Sequence, residues 1–292
     1  MRIIKNFLSF ILSFLLMILV IVLIYVFNIS SFASKEKMIK NVGEVDFPLE
    51  LQKVRNSGKV SEGSKITNTI NDLYNLAGEF DVKSEDIDKI INSKIAKKII
   101  GIPLGNMTDY IINDKKNNFF SSEDIYNIIN EEIDDVLKES NIDVSEGQKE
   151  KFLSRIKLEL PDLVESIPST EDILKGKNKN IIDISHFVFG DLFKIIVIII
   201  SFVLIILLIL TERKKCTEYI GFSLLFASLL SVGVSFFIPG IIMELVNGAD
   251  VSLLINPFVS LLSRNIINWS IVVLFLSIII LLLSKDINRL DS

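Results

Sequence analysis

The chain has 292 residues, of which 50% are hydrophobic and 23% are charged, so apolar and polar residues must be separated along the sequence. The polar block from Lys35 to Gly190 holds 22 basic and 29 acidic residues, and this net negative charge excludes a nucleic-acid partner. Cys216 and His186 are the only residues of their types. An intramolecular disulfide and a metal site built from several cysteines or histidines are therefore excluded. No cofactor is predicted.

The first predicted element is a transmembrane helix over residues 7–28. Phe7 to Phe27 contain no charge, and a helix of that length rises about 31 Å, which matches the hydrocarbon core of a bilayer. A cleaved signal peptide is the alternative, because Arg2 and Lys5 precede the segment and small residues follow it. The apolar cores of signal peptides are shorter, at about 7–15 residues. We therefore expect an uncleaved anchor behind a cytoplasmic N-terminus, residues 1–6.

Residues 29–190 are predicted to form an extracytoplasmic bundle of five or six short helices. Apolar residues recur there at the spacing of helices rather than strands. The predicted apolar faces consist of Ile66, Ile70, Leu73, Tyr74 and Ala77; Ile87, Ile90, Ile91, Ile95 and Ile99; Ile125, Ile128, Ile129, Ile133 and Val136; and Phe152, Ile156 and Leu160.

Helix starts and breaks are also predicted in this domain. Ser84 and Ser122 each precede a Glu-Asp pair, which is typical of a first helical turn, and Ser145 with Gln148 indicates a capping box. Breaks are predicted at residues 57–58, 101–105 and 115–118 and at Pro161 and Pro168.

One internal similarity lies within the domain. Ser84 to Ile95 and Ser122 to Ile133 share eight of twelve residues. A duplicated helical hairpin is one interpretation. Chance matching in a chain rich in Ile, Asn, Glu and Ser is the other.

Three further transmembrane helices follow. Long apolar stretches, charged only near their ends, predict spans at residues 191–211, 219–245 and 266–284, with a short turn at 212–218, a loop at 246–265 and a C-terminus at 285–292. The apolar part of the loop, Val251 to Leu262, either lies at the membrane interface or extends the fourth span as a broken helix. The predicted fold is all-α, a four-helix transmembrane protein with the helical-bundle domain inserted between spans one and two.

Basic residues predict the orientation of the spans. Positive clusters precede span one, fill the turn after span two and follow span four, and all lie on one side: Arg2, Lys5, Arg213, Lys214, Lys215, Lys285 and Arg289. Positive charge marks the cytoplasmic side, so both termini are expected in the cytoplasm. The frequent Ile, Asn and Lys are typical of AT-rich bacterial genomes, so the predicted location is a bacterial plasma membrane.

The most specific pattern in the chain is a stripe of small residues in span three. Ser223, Ala227, Ser231 and Ser235 follow each other at intervals of four, a spacing that lets another membrane helix approach closely. We predict a helix-packing interface there; a polar conduction path is the alternative. A sparser stripe on span four consists of Ser270, Ser277 and Ser284.

Two further candidate features lie in the spans and their flanks. Pro239 and Gly240, near the outer end of span three, form a candidate hinge or simply end the helix. His186, near Asp183 and Asp191, is a candidate pH sensor, although a single interfacial histidine more often has no such role.

Clustered carboxylates in the outer domain suggest weak calcium binding or glycosidase chemistry. They are Glu85, Asp86 and Asp88, and Glu131, Glu132, Asp134 and Asp135. Helix-terminal charge and a solvated helix face explain them more simply. We therefore predict no catalytic residue and no metal site.

The expected function is that of a non-enzymatic envelope binding, sensing or scaffold protein. It would contact the lipid bilayer and a protein partner, at the extracytoplasmic domain or at span three. The alternative is a small transporter, channel or accessory permease subunit, and a carboxylate-based envelope hydrolase is a third hypothesis.

Overall fold

A computed structural model describes residues 2–49, 84–113, 121–139, 142–166, 179–213, 215–245 and 249–290. These residues are almost entirely helical and contain no strand, which confirms the predicted all-α class. Four helices are long and apolar enough to cross a membrane, over Ile3–Phe32, Asp191–Thr211, Cys216–Gly240 and Pro257–Lys285. The chain therefore has the character of a multi-pass membrane protein.

The described helices are numbered in chain order as follows: α1 (Arg2–Phe32), α2 (Lys35–Glu44), α3 (Ser84–Ile91), α4 (Lys94–Asn113), α5 (Ser122–Glu139), α6 (Glu146–Ser166), α7 (Lys179–Phe189), α8 (Asp191–Thr211), α9 (Cys216–Leu245) and α10 (Ala249–Leu290). They divide into two compact units. The membrane unit comprises Met1–Phe32, Ile184–Glu244 and Val259–Ser292, and the second unit comprises Ala33–Asp183 and Leu245–Phe258.

In the membrane unit, α1 packs against α8. Leu12 and Leu16 form a buried cluster with Leu204 and Leu208. Most of the other large apolar side chains of these helices face outward. This is the distribution expected when lipid rather than water surrounds the helices.

Helix α10 differs from the predicted loop at 246–265. The described residues from Ala249 onward already belong to the helix, which continues without interruption through Pro257. Proline removes one backbone donor, but Phe258 packs against a buried cluster and Val259 is itself buried. These packing contacts offset the local preference for a break. The extension of span four is thus a continuous helix rather than a broken one.

The second unit is centred on the crossing of α2 and α4. Val42, Val45 and Phe47 form its buried cluster. The partly buried residues packed against this cluster come from three further helices: Ile91, Ile100, Leu104 and Phe258. The core of this unit therefore includes a side chain from α10, distant in sequence from the rest.

The predicted break at residues 101–105 is wrong, because α4 runs through both glycines. A Cβ atom at Gly101 would lie 3.2 Å from the Ile39 Cα, and one at Gly105 would lie 3.1 Å from the Lys35 carbonyl oxygen. The glycines let the α2 backbone approach α4 closely, so they serve packing rather than a turn. Pro161 likewise lies inside a helix, α6.

The residues of the predicted apolar faces on α3 to α6 are buried or half-buried, but the second face is divided between α3 and α4 by a break at residues 92–93. The face predicted for residues 66–77, and the breaks at 57–58, 115–118 and Pro168, lie outside the described residues. Ser145 and Gln148 form the predicted capping box: the Gln148 side chain accepts from the Ser145 N–H at 3.0 Å, and the Ser145 hydroxyl accepts from the Gln148 N–H at 3.4 Å.

The cap of α5 is Ser121 rather than Ser122. The Ser121 hydroxyl accepts from the Asp124 N–H at 3.1 Å, and Asp124 accepts from the Ser121 N–H at 3.0 Å. The two similar segments also diverge in structure. The first stops at Ile91 and resumes at Lys94, whereas the second continues unbroken through Ile133.

Candidate functional site: the serine-rich interior of the membrane unit

The stripe on α9 lies wholly inside the membrane unit. Ser223, Ala227, Ser231 and Ser235 are each exposed by 3% or less. A four-residue interval keeps these small side chains on one face of the helix, and they leave room for a neighbouring backbone.

Helix α1 lies along this face. The Ser223 hydroxyl donates to the Ser13 carbonyl oxygen at 2.8 Å, and the two hydroxyl oxygens lie 2.7 Å apart. Farther along, the Tyr25 hydroxyl donates to the Ser231 carbonyl oxygen at 3.1 Å and lies 3.3 Å from the Ser235 hydroxyl. These contacts follow the same order along both helices, so α1 and α9 run parallel. Sequence analysis did not identify Ser13 or Tyr25 as partners of the stripe.

The stripe on α10 is equally buried and longer than predicted. Ser263 extends the heptad of Ser270, Ser277 and Ser284, and all four side chains are buried. Three of the hydroxyls donate to carbonyl oxygens of their own helix, at Ile266, Leu274 and Leu281. Such bonds satisfy a hydroxyl in an apolar surrounding without a partner from another helix.

Three buried oxygen atoms of this unit have no hydrogen-bond partner among the described residues. They are the Asn28 Oδ1, the Ser231 Oγ and the Ser263 Oγ. The Asn28 amide nitrogen is satisfied, since it donates to the Ile24 carbonyl oxygen at 2.6 Å. Unpaired buried oxygens are unusual in folded proteins, and each calls for an explanation, such as a bound water or ligand.

The candidate hinge at Pro239 and Gly240 lies within a continuous helix. Helix α9 passes through both residues and ends at Leu245. A Cβ atom at Gly240 would meet no atom within 4 Å, so no close packing requires glycine there. A hinge at this point stays a prediction.

The carboxylates on α5 take part in ion pairs between helices. Glu132 pairs with Lys98 of α4 at 2.6 Å, and Asp134 pairs with Lys149 of α6 at 2.5 Å. The hydrogen bond that Lys149 donates to the Asp134 carboxylate is the main cause of the raised pKa of Lys149. Glu131 and Asp135 are exposed. Within the described ranges, no group of three or more histidine, cysteine or carboxylate residues is arranged to hold a metal ion.

Polar contacts also fix the C-terminal end of α1. The Lys194 ammonium donates to the Ser30 hydroxyl at 2.8 Å and to the Asp191 carboxylate at 3.1 Å. His186 lies in the last turn of α7, half-buried. Cys216 is a free thiol.

Comparison of the chain with protein-family models, with curated proteins and with solved structures gave no match. Functional conclusions for this chain therefore come from its own geometry.

Proposed function

We propose that this chain is a bacterial plasma-membrane protein whose second unit lies outside the cytoplasm and binds another protein or a cell-envelope component. The protein acts as a binding, sensing or scaffold protein rather than an enzyme. Spans one to four anchor the binding unit, with both termini in the cytoplasm.

The composition of the second unit carries this proposal. Its two chain segments, Ala33–Asp183 and Leu245–Phe258, are separated in sequence by two membrane-spanning helices. Even so, Phe258 packs against the Val42 cluster. The two inter-span segments therefore build one folded unit with a core of its own, and a folded unit of this kind supports a binding role.

The surface chemistry of the unit supports binding rather than catalysis. Two of the clustered carboxylates on α5, Glu132 and Asp134, form ion pairs that join helices. On α6, Leu158 is 78% exposed between the charged residues Lys157 and Glu159. An exposed leucine alone has no special meaning, but this position offers a probe site that is remote from the unit's core.

Photo-crosslinking in intact cells tests the proposal. A photoreactive phenylalanine analogue replaces Leu158 in the full-length chain, and the matched control replaces Ile199, an exposed residue of α8. We expect a discrete adduct with a protein or an envelope polymer at position 158 and lipid adducts at position 199. Recovery of only uncrosslinked chain at position 158, and at further exposed positions such as Glu123, would contradict the proposal.

A second candidate, a small transporter, channel or accessory permease subunit, is favoured by the three unpaired oxygens. Asn28 Oδ1, Ser231 Oγ and Ser263 Oγ lie in an interior where a bound ion, water or polar solute would supply the missing partners. Ion or solute flux into proteoliposomes tests this candidate. Flux in the wild type that N28L abolishes would support it, whereas no flux under several gradients would remove it.

A further inference from the structure

Helix α7 meets the membrane helix α8 at a break that only glycine permits. The Gly190 N–H donates to the His186 carbonyl oxygen at 2.9 Å. Gly190 then adopts an extended conformation, with φ −65° and ψ 156°. A Cβ atom at this position would lie 2.5 Å from the His186 carbonyl oxygen, so any side chain would collide with the backbone of α7.

Helix α8 by itself is long enough to cross the hydrocarbon core. Its 21 residues rise about 31 Å, close to the thickness of that core. The Asp191 side chain, 92% exposed, is paired with Lys194 at the first turn, a position where charged groups reach the headgroups. The 11 residues of α7 therefore lie at or beyond the headgroup level.

The exposed side chains next to this break are nevertheless large and apolar. Ile184 is 61% and Phe187 is 53% exposed on α7, and they are followed by Leu192 and Ile195 on α8, which are also exposed. The spacing of these residues continues the lipid-facing surface of α8 across Gly190. The Phe187 and Phe193 rings meet edge to face, with centroids 5.4 Å apart, so Phe187 is held against the first turn of α8.

The other contacts of α7 fix this end of the helix. Its last carbonyl group, at Phe189, accepts a hydrogen bond from the Ser30 hydroxyl of α1 at 3.4 Å, and Ser30 also binds Lys194. The division of the chain into units falls between Asp183 and Ile184. The polar Asp183 is thus the last residue of the first segment of the second unit, and the apolar residues from Ile184 onward belong with the membrane helices.

We infer that the last two turns of α7 are a lipid-contact surface, with Ile184 and Phe187 inserted at the boundary between the headgroups and acyl chains of the leaflet that α8 enters. Aromatic residues are enriched at that depth, and apolar faces of interfacial helices bury there. The partner is the lipid bilayer itself. This surface extends the membrane contact of the chain beyond the span.

Tryptophan fluorescence tests this inference, because the chain contains one tryptophan, Trp269. In a full-length W269F background, F187W and I184W are each placed in nanodiscs made with lipids brominated either near the headgroup or deep in the chain. The deep-membrane control is F202W on α8, and the aqueous control is L158W on α6; both native residues are exposed.

We expect F187W and I184W to emit at shorter wavelength than L158W and to be quenched most by bromine near the headgroup. F202W should be quenched most by bromine deep in the chain. Two variants are used because a tryptophan at Phe187 changes the contact with Phe193, whereas one at Ile184 leaves that contact intact. Emission and quenching equal to those of L158W, in whichever of the two variants retains its helical circular dichroism, would overturn the inference.

Discussion

Serine is the residue that determines how the membrane unit packs. Ser228, Ser231, Ser235, Ser270 and Ser277 are fully buried, while many large apolar side chains of the same helices are exposed. In water such an arrangement would be unfavourable, because it leaves apolar side chains in contact with solvent. In lipid the apolar side chains can face outward without this free-energy cost. Small side chains then favour close contact between helices, and hydrogen bonds within each helix satisfy most of the hydroxyls.

A single hydroxyl also sets the start of α5 in the second unit. The Ser121 Oγ accepts from the Asp124 N–H, and loss of such a cap costs about 1 kcal/mol. We expect S121A to raise hydrogen exchange at the first turn of α5, measured by mass spectrometry on the full-length protein. S122A, which changes the adjacent serine, should leave exchange there nearly unchanged. Equal effects of both variants would show that Ser121 is not the cap.

The same cap should weaken in acid. Hydrogen bonds from the Ser121 backbone and side chain hold the pKa of the Asp124 carboxyl below its ordinary value. Because the folded-state pKa is the lower one, ionised Asp124 stabilises the cap above the unfolded pKa of about 3.9, and this stabilisation is lost as the pH falls through the folded pKa.

Hydrogen exchange between pH 6 and pH 3, corrected for intrinsic rates, measures this effect. Protection of the first turn of α5 should decrease with acidification in the wild type. In D124N it should be lower at neutral pH and nearly independent of pH. D135N, on the same helix, is the charge-matched control and should behave as the wild type does.

At the scale of helix pairs, Gly221 marks a close contact of α9 with α10. A Cβ atom there would lie 2.7 Å from both the Cγ and the Cδ2 of Leu281. G221A should therefore lower stability in detergent by about 1–3 kcal/mol, the cost of overpacking. The midpoint of thermal unfolding measures this loss.

Gly233 on the same helix provides the matched control, because a Cβ atom there meets nothing within 4 Å. G233A should be neutral or slightly stabilising, since alanine favours helix over glycine. Adding L281A to G221A should cost less than the sum of the two single changes, because the smaller side chain relieves the collision. Additive losses would mean that the two residues do not meet.

The helices themselves show which features a sequence can predict. Membrane-spanning helices follow from uncharged stretches, a property that is read along one chain, and all four were predicted. The sequence did not predict that α4 continues through Gly101 and Gly105, or that α10 continues through Pro257. Glycine and proline indicate what the backbone prefers locally, whereas the contact of α4 with α2 depends on a segment far away in the sequence.

The serine stripe shows the same difference between features that a local sequence pattern predicts and contacts that depend on a distant segment. Its four-residue interval indicated a packing face, and the structure buries all four residues. Its partner on α1 could not be identified, because Ser13 and Tyr25 are isolated polar residues in an apolar stretch. Only the parallel alignment of α1 and α9 brings them to Ser223 and Ser235.

At the scale of the whole molecule, the proposed four crossings would leave both segments of the second unit on one side of the membrane. The basic turn containing Arg213 would then lie on the other side, together with both termini. Positive charge favours the cytoplasm for that side. The proposed extracytoplasmic binding role depends on this orientation.

The single cysteine makes this orientation directly measurable. In a cysteine-free C216S background, N130C places a thiol at an exposed position on α5, and R213C places one in the exposed turn between α8 and α9. A membrane-impermeant maleimide should label N130C in intact cells with their outer layers opened, and R213C only after the membrane is permeabilised. The reverse pattern would put the second unit in the cytoplasm and rule out envelope ligands. Labelling of both thiols before permeabilisation would contradict the four-span arrangement, because the single crossing by α8 between these positions should put them on opposite sides of the membrane.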